Sequence, residues 1–174
     1  SYFVLIAGLG IATYAIREGA RVRDSKEDLE AFSSEMFSIN IISVAISIIA
    51  LVIVVVAVPK FHSYIPLIAV QSLAIFGNLI GVTWLYSIVE DYAYITVRSL
   101  VVHIIALVLL FLFVHNESDY VPYAATTVIA NAGANIFNFF HAKKYVKIRF
   151  TRNLNLKKHI KPIMIIFAST VTTT

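Results

Sequence analysis

"EDYAYITVRSLVVHIIALVLLFLFV", residues 90–114, decides in which solvent the chain folds. From residue 95 onward the stretch is apolar apart from Thr96, Arg98, Ser99 and His103. About 20 such residues are enough for a helix to cross the roughly 30 Å hydrocarbon layer of a bilayer. We therefore predict a transmembrane helix here. Its ionisable side chains, Arg98 and His103, are functional candidates because a charge within lipid is costly.

The composition extends this interpretation to the whole chain. Of 174 residues, 59% are hydrophobic and 14% are Asp, Glu, Lys or Arg, against roughly 45–50% and about 25% in soluble domains. Backbone groups in lipid must be paired internally, so the apolar blocks should be helical. We predict an all-α, polytopic transmembrane helix bundle with four complete and two partial spans, part of a longer protein. The complete spans should lie near 36–58, 66–88, 95–114 and 120–141, and the partial ones before residue 16 and after residue 163.

The basic residues predict the topology. Of the 14 Lys and Arg residues, Lys60 alone lies in the two short loops on one side, and the other 13 lie on the opposite side. By the positive-inside rule the basic side is cytoplasmic, in a multi-pass protein of the plasma membrane. The eight basic residues of 142–162 could in principle meet nucleic acid, but beside membrane spans we expect them to attract anionic lipid headgroups. The cytoplasmic loops are then 17–35, 89–94 and 142–162.

Each complete span carries polar residues at helical spacing, so that they share a face. They can form hydrogen bonds between packed helices, with Gly77 and Gly81 allowing close approach. Alternatively, they can line a water-filled cavity, which the three Asn residues of one helix favour. The positions are Asn40, Ser43 and Ser47; Gln71 and Asn78; Ser99 and His103; and Thr127, Asn131, Asn135 and Asn138.

Arg98 and His103 each have two interpretations. Arg98 is less than one turn inside the span, where it can extend to the interface and pair with Asp91, or contact an anionic headgroup. His103 lies about 12 Å beyond Ile95 by helical rise, near the middle of the layer. It is either a neutral, hydrogen-bonded side chain or a protonatable, substrate-facing group.

Features of enzymes are missing from the sequence. No GxSxG, HExxH or Walker A motif occurs, and the adjacent Glu90 and Asp91 would point about 100° apart on a helix. The absence of Cys excludes disulfides and thiolate metal sites. We expect no enzyme activity, no cofactor and no metal. Ser25 and Asp28 form a capping-box pattern that predicts a helix running from Ser25 into the 36–58 span.

Three stretches resemble a known family. They are "GIATYAIREGARVRDSKEDLEAFSSEMFSIN" (10–40), "GVTWLYSIVEDYAYITVRS" (81–99) and "DYVPYAATTVIANAGANIFNFFHAKKY" (119–145). Together they resemble the Wzx-type polysaccharide and O-antigen repeat-unit flippases of the multidrug/oligosaccharidyl-lipid/polysaccharide exporter superfamily. Two features depart from the family pattern: Ser87-Ile88-Val89 replaces the frequent Gln-Gly before the Glu, and His103 stands where Lys is common.

The resemblance implies a two-lobed bundle that alternates between inward-facing and outward-facing states. Residues 1–162 would form most of the N-terminal lobe, and 163–174 the start of the first C-terminal-lobe helix. Family members move undecaprenyl-pyrophosphate-linked oligosaccharides from the cytoplasmic to the outer leaflet, in company with polysaccharide polymerase machinery. The substrate-binding candidates are Arg98 and Arg17 for phosphate, Asn78, Asn131, Asn135 and Asn138 for sugar hydroxyls, and His103 for cavity charge or proton coupling.

Two rival functions stay open. A cation-coupled multidrug antiporter of the same superfamily would share the architecture, but it would be expected to carry a mid-span Asp or Glu, and none occurs here. A membrane polysaccharide polymerase or acyltransferase would be expected to carry a large external loop with Arg or His. Both external loops in this chain are short.

Overall fold

The computed structural model describes residues 10–58, 64–116, 119–152 and 154–173, without the side chains of Gln71, Asn78 and a few others. Within these ranges the chain forms seven helices and no strand. The structure is therefore an all-α bundle, as predicted. The helices are α1 (Ile11–Gly19), α2 (Lys26–Ala57), α3 (Ile65–Ile80), α4 (Thr83–Ile88), α5 (Tyr92–Phe113), α6 (Tyr120–Ala142) and α7 (Leu156–Thr173).

Helix α2 begins where the capping box predicts. Ser25 is its N-cap, and the Ser25 hydroxyl accepts a hydrogen bond from the backbone N–H of Asp28 at 3.3 Å. Glu27 and Asp28 in the first turn complement the helix dipole. The helix has 32 residues, so its length of about 48 Å exceeds a roughly 30 Å hydrocarbon layer. Its first turns therefore extend beyond the apolar part of the bundle.

The span predicted over 66–88 is wrong as one continuous helix, because the structure divides it into α3 and α4. The break falls at Gly81 and Val82, and Gly is a poor helix former. Beyond it, the Thr83 hydroxyl accepts a hydrogen bond from the Asn138 amide of α6 at 3.3 Å. Tyr86 donates its hydroxyl to the carbonyl of the same residue. A tertiary contact with α6 thus holds α4 after the break.

The last helix starts earlier than the predicted residue 163. Helix α7 begins at Leu156 and contains Pro162. The prediction treated this basic segment as loop, but His159 and Ile163 are buried, with 1% and 2% of their surface exposed. Their spacing of four residues places them on one face that packs against the bundle. The connection after α6 is correspondingly shorter than predicted.

The core lies at one end of the bundle, where α1, α2, α4 and α7 meet. Tyr14, Met36, Leu85 and Ile88 are among its most buried side chains. Gly19 makes the close approach possible, because a Cβ there would lie 2.3 Å from Cδ1 of Ile88. A larger residue at this position would require the Ile88 and Phe32 side chains to shift.

The three loops predicted to share a side meet at this end. Arg23 forms an ion pair with Glu90. The backbone N–H of Lys147 donates to Glu30 Oε1 at 3.1 Å, and that of Arg149 donates to Ser34 Oγ at 3.2 Å. We call the part formed by loops 17–35, 89–94 and 142–162 the basic end.

The remainder of the bundle exposes apolar side chains. None of the described residues of α5 is buried, and Ile104 and Phe111 are 53% and 70% exposed. Of the helices in the described ranges, α2 and α5 meet the length and apolarity of a membrane-crossing helix. An apolar surface of this extent belongs against lipid chains. The chain is an all-α membrane helix bundle.

Candidate functional site

A hydrogen-bonded junction at the basic end joins α4, α5 and α6 around Asn138. The Asn138 side chain is fully buried. Its amide nitrogen donates to Thr83, and its amide oxygen accepts from the Tyr94 hydroxyl at 3.2 Å. Tyr86 bonds the backbone carbonyl of the same residue. Buried polar groups satisfied in this way fix three helices relative to one another.

Aromatic rings and one carboxylate surround this junction. Tyr94 and His141 stack with ring centroids 4.0 Å apart and an interplanar angle of 3°. The Tyr145 hydroxyl donates to Asp91 Oδ2 at 2.5 Å, and the N–H of Tyr94 donates to Asp91 Oδ1 at 3.2 Å. The hydrogen bond from Tyr145 holds the pKa of Asp91 below its usual range. The same bond, with burial, raises the pKa of Tyr145 to about 12.

Arg98 lies one helical turn beyond Tyr94 and is half-buried. Its Nε is inaccessible to solvent and has no hydrogen-bond partner among the described residues. No described carboxylate lies within ion-pair distance of its guanidinium. Asp91, the partner that the sequence suggested, instead bonds Tyr145 and lies 3.8 Å from His141. The positive charge of Arg98 is therefore uncompensated in this part of the molecule.

A groove between α5 and α6 runs past Arg98. It has a volume of about 570 Å³, within the range of ligand pockets. Tyr94, Arg98 and His141 line its end at the basic end of the bundle, and branched and aromatic apolar side chains line the rest. Small residues of α6, Ala130, Gly133 and Ala134, also line it. The groove therefore has a cationic end and apolar walls along the rest of its length.

The other predicted site residues lie elsewhere. His103 is exposed, and its Nδ1 is 2.6 Å from the Ser99 carbonyl of its own helix. Asn131 is exposed and donates to the Thr127 carbonyl at 2.8 Å. Asn135 crosses to α3, where it donates to the Gly77 carbonyl at 3.0 Å. The structure thus brings Arg98 and Asn138 to the same junction and leaves His103 and Asn131 outside it.

Two predicted site residues remain to be placed. Arg17 is at the end of α1, largely exposed, with its Nε 3.1 Å from Glu18 Oε1. Glu18 also pairs with Arg21 at 3.2 Å. The side chain of Asn78 lies outside the described residues. Arg17 therefore does not line the α5–α6 groove and already has a counter-charge.

A second polar cluster was missed by the sequence interpretation. His159 of α7 is 2.8 Å from the Tyr14 hydroxyl through Nδ1 and 2.8 Å from Glu35 Oε2 through Nε2. It lies within a run of Lys residues that looks like a solvated loop. The signal that could have revealed it is the spacing of Leu156, His159 and Ile163, which marks one helical face.

The described ranges contain no group of three or more His, Asp or Glu residues able to hold a metal ion. The site consists of an arginine, an imidazole, hydroxyls and amides beside an apolar groove. Such a set can bind an anionic, amphipathic molecule by charge and hydrogen bonding.

Comparison with known proteins identifies the family of this membrane helix bundle. Residues 1–173 match the family described as "Polysaccharide biosynthesis protein", and the chain belongs to this family. It is 25% identical over 118 residues to the protein of Escherichia coli (strain K12) named "Putative O-antigen transporter". The match covers 68% of this chain and 28% of that relative, so the chain spans far less than the relative's full length. No solved structure matches.

The family assignment agrees with the resemblance seen in the sequence. The family match and the resemblance seen in the sequence both lead to the class of Wzx-type polysaccharide exporters. At the level of the family, the chain is a membrane protein of polysaccharide biosynthesis with a transporter among its relatives.

Proposed function

We propose that the protein translocates undecaprenyl-pyrophosphate-linked oligosaccharide repeat units from the cytoplasmic to the outer leaflet of the bacterial inner membrane. Membership of the polysaccharide biosynthesis family and the transporter relative support this. The basic end is the cytoplasmic side in this proposal, by the positive-inside rule. The helices up to α6 form most of an N-terminal lobe in this proposal, and α7, which starts at Leu156, is the first helix of a C-terminal lobe.

The observation that carries the proposal is the uncompensated Arg98. The Nε of this half-buried guanidinium is buried without a hydrogen-bond partner, and a buried donor left unpaired costs free energy unless a ligand satisfies it. Arg is always charged, and its planar donors match phosphate oxygens. Arg98 lies at the basic end, where a pyrophosphate would enter from the cytoplasm. We assign it the role of phosphate contact.

The remaining polar residues have subsidiary roles in this proposal. The exposed amide of Asn131 and the exposed imidazole of His103 face the surroundings of the bundle, where the rest of the protein and the sugar would meet them. His103 can supply charge or couple to a proton. Asn135 and Asn78 lie along α6 and α3. Arg17 keeps no phosphate role in this proposal, because it pairs with Glu18 and does not line the α5–α6 groove. Polysaccharide polymerase machinery would receive the product on the other side.

The first test asks which leaflet holds the lipid-linked sugars in a strain that lacks the full-length gene. Complete, unpolymerised repeat units should accumulate on the cytoplasmic side. Units that reach the outer leaflet but stay unpolymerised would instead indicate a polymerase. Unchanged lipid-linked sugars would contradict both functions and favour a drug antiporter.

The second test replaces Arg98 in the full-length protein. Arg98→Ala should lower transport about tenfold or more, because a charge-assisted hydrogen bond contributes about 1.5–3 kcal/mol. Membrane insertion should be unchanged. Arg152→Ala, which removes an exposed positive charge from the same end, should transport like the wild type. Full transport rates in both Arg98→Ala and Arg98→Gln would show that the assignment is wrong.

A further inference from the structure

The α5–α6 groove has a length that matches half of a bilayer. Its lining on α5 runs from Tyr94 to Ile105, and on α6 from His141 back to Ile129. At about 1.5 Å per residue the two helix segments rise about 16–18 Å, close to half of the roughly 30 Å hydrocarbon layer. The groove therefore begins at the level of the headgroups and ends near the bilayer centre. It follows the course of a lipid chain in the leaflet at the basic end.

The two ends of the groove differ in chemistry. Beyond the first turn its walls are apolar, with Val101, Ile105 and Phe137 among the lining side chains. A Cβ added at Gly133 would meet no atom within 4 Å, so the groove is open beside this residue. This part can take an aliphatic chain without displacing protein atoms.

The headgroup end contains unsatisfied donors. Only three buried side-chain polar atoms of the described residues lack a hydrogen-bond partner, and two of them are Arg98 Nε and His141 Nε2. Both side chains line the groove. His141 Nε2 is 3.8 Å from Asp91 Oδ2, whose closer partner is the Tyr145 hydroxyl. Arg98 Nε is a donor, and His141 Nε2 is one in the tautomer that protonates this nitrogen, so the mouth suits a headgroup with more than one anionic phosphate oxygen.

We infer that this groove is the docking site for the polyprenyl chain of a polyprenyl pyrophosphate, with the pyrophosphate on Arg98 and His141. The inference rests on the proposed function, which supplies a lipid with this headgroup. The inference adds that the protein binds the polyprenyl chain of the lipid as well as the phosphates. The tail stays in the groove of the α5–α6 hairpin while the headgroup meets the cationic mouth. The depth of the groove suits a lipid chain of one leaflet. The cationic mouth favours a headgroup with more than one phosphate, and the proposed function supplies that headgroup on a polyprenyl chain.

The test uses the purified full-length protein in nanodiscs and a polyprenyl pyrophosphate with a photoreactive group in its chain. Crosslinks should map to residues 97–105 and 129–137. Gly133→Leu should reduce crosslinking about tenfold, since its side chain fills the groove, while Gly133→Ala should label like the wild type. Both changes raise helix propensity, so each variant should fold. Arg98→Gln should weaken labelling without moving the crosslinked positions.

The inference is overturned if Gly133→Leu labels like the wild type or if the crosslinks lie outside the two helices. Excess unlabelled undecaprenyl pyrophosphate should abolish labelling, and the same amount of phosphatidylglycerol should not. Equal competition by phosphatidylglycerol would show a site for bulk anionic phospholipid and also overturn it.

Failure of this inference is distinguishable from failure of the proposed function. If the gene deletion accumulates cytoplasmic repeat units but Gly133→Leu both labels and transports normally, only the groove is wrong. If the deletion leaves lipid-linked sugars unchanged, the proposed function is wrong, whatever the crosslinks show.

Discussion

Asp91 illustrates how one residue at a helix start serves several elements. One carboxylate oxygen caps α5 through the N–H of Tyr94, and the other accepts from Tyr145, which follows α6. Both bonds favour the ionised form, so the pKa of Asp91 is lowered from its usual 3.8. The hydrogen bond to Asp91 also raises the pKa of Tyr145 to about 12, so the phenol stays protonated well above neutral pH. Because Asp91 bonds Tyr145, it does not form the ion pair with Arg98 that the sequence suggested.

This arrangement predicts a pH-dependent effect of Tyr145→Phe. A group whose pKa is lowered on folding stabilises the protein above its unfolded pKa, and this contribution is lost as the pH falls through the folded pKa. The melting temperature of Tyr145→Phe in detergent should therefore lie below that of the wild type at neutral pH, and the difference should shrink below pH about 3.8. Tyr123→Phe, at an exposed position, is the control. A difference that does not change with pH would contradict the role given to Asp91.

At the scale of the element, α6 shows why spacing alone does not define a site. Asn131, Asn135 and Asn138 were predicted to share one face, yet one is exposed, one is half-buried and one is buried. They bond their own helix, α3 and the α4–α5 junction respectively. The helix packs against α3, α4 and α5 at once. Each of these three helices covers a different part of the α6 surface that carries the Asn residues.

Two of these Asn residues form a matched pair for a stability measurement. Asn138→Ala should lower the free energy of unfolding by about 2–3 kcal/mol, because the Thr83 and Tyr94 hydroxyls lose a buried partner. Asn131→Ala removes one exposed bond within its own helix and should change it by less than about 0.5 kcal/mol. Unfolding of both variants in a denaturing detergent titration measures the difference. Equal losses would show that burial does not decide their roles.

At the scale of the whole molecule, His159 connects the last helix to the first two. Its ring bonds Tyr14 of α1 and Glu35 of α2, and Tyr14 and Phe32 contact it edge-on. Because the histidine is buried, these bonds are shielded from solvent. They hold the start of α7 against the core of the basic end.

Removal of this connection should loosen α7 selectively. Tyr14→Phe should cost about 0.5–1.5 kcal/mol, one hydrogen bond, and His159→Ala more, because a cavity and two unsatisfied partners remain. Hydrogen exchange should rise in residues 156–163 while α6 is unaffected. Lys158→Ala, at an exposed position of the same helix, should change neither. Uniform acceleration throughout the bundle would mean that His159 supports the fold generally and not α7 in particular.

Much of this molecule is determined by its sequence alone, because the relevant properties are local. The apolar blocks place both ends of α5 and α6 and the last residue of α2 within a few residues. The Ser25 cap needs only its own turn. The basic loops meet at one end because successive helices reverse direction. A segment in lipid must pair its backbone groups internally, so an apolar block of this length has few alternatives to a helix.

What only the tertiary structure decided depends on residues far apart in the chain. The break at Gly81 and the burial of Asn138 depend on how α6 packs against α4, and His159 is buried by helices more than 100 residues earlier. Arg98 lost its predicted partner because Tyr145, 54 residues after Asp91, satisfies that carboxylate. Hydrogen-bond partners in a dry interior are set by which faces meet. Helical spacing states which residues share a face, and only packing decides what that face contacts.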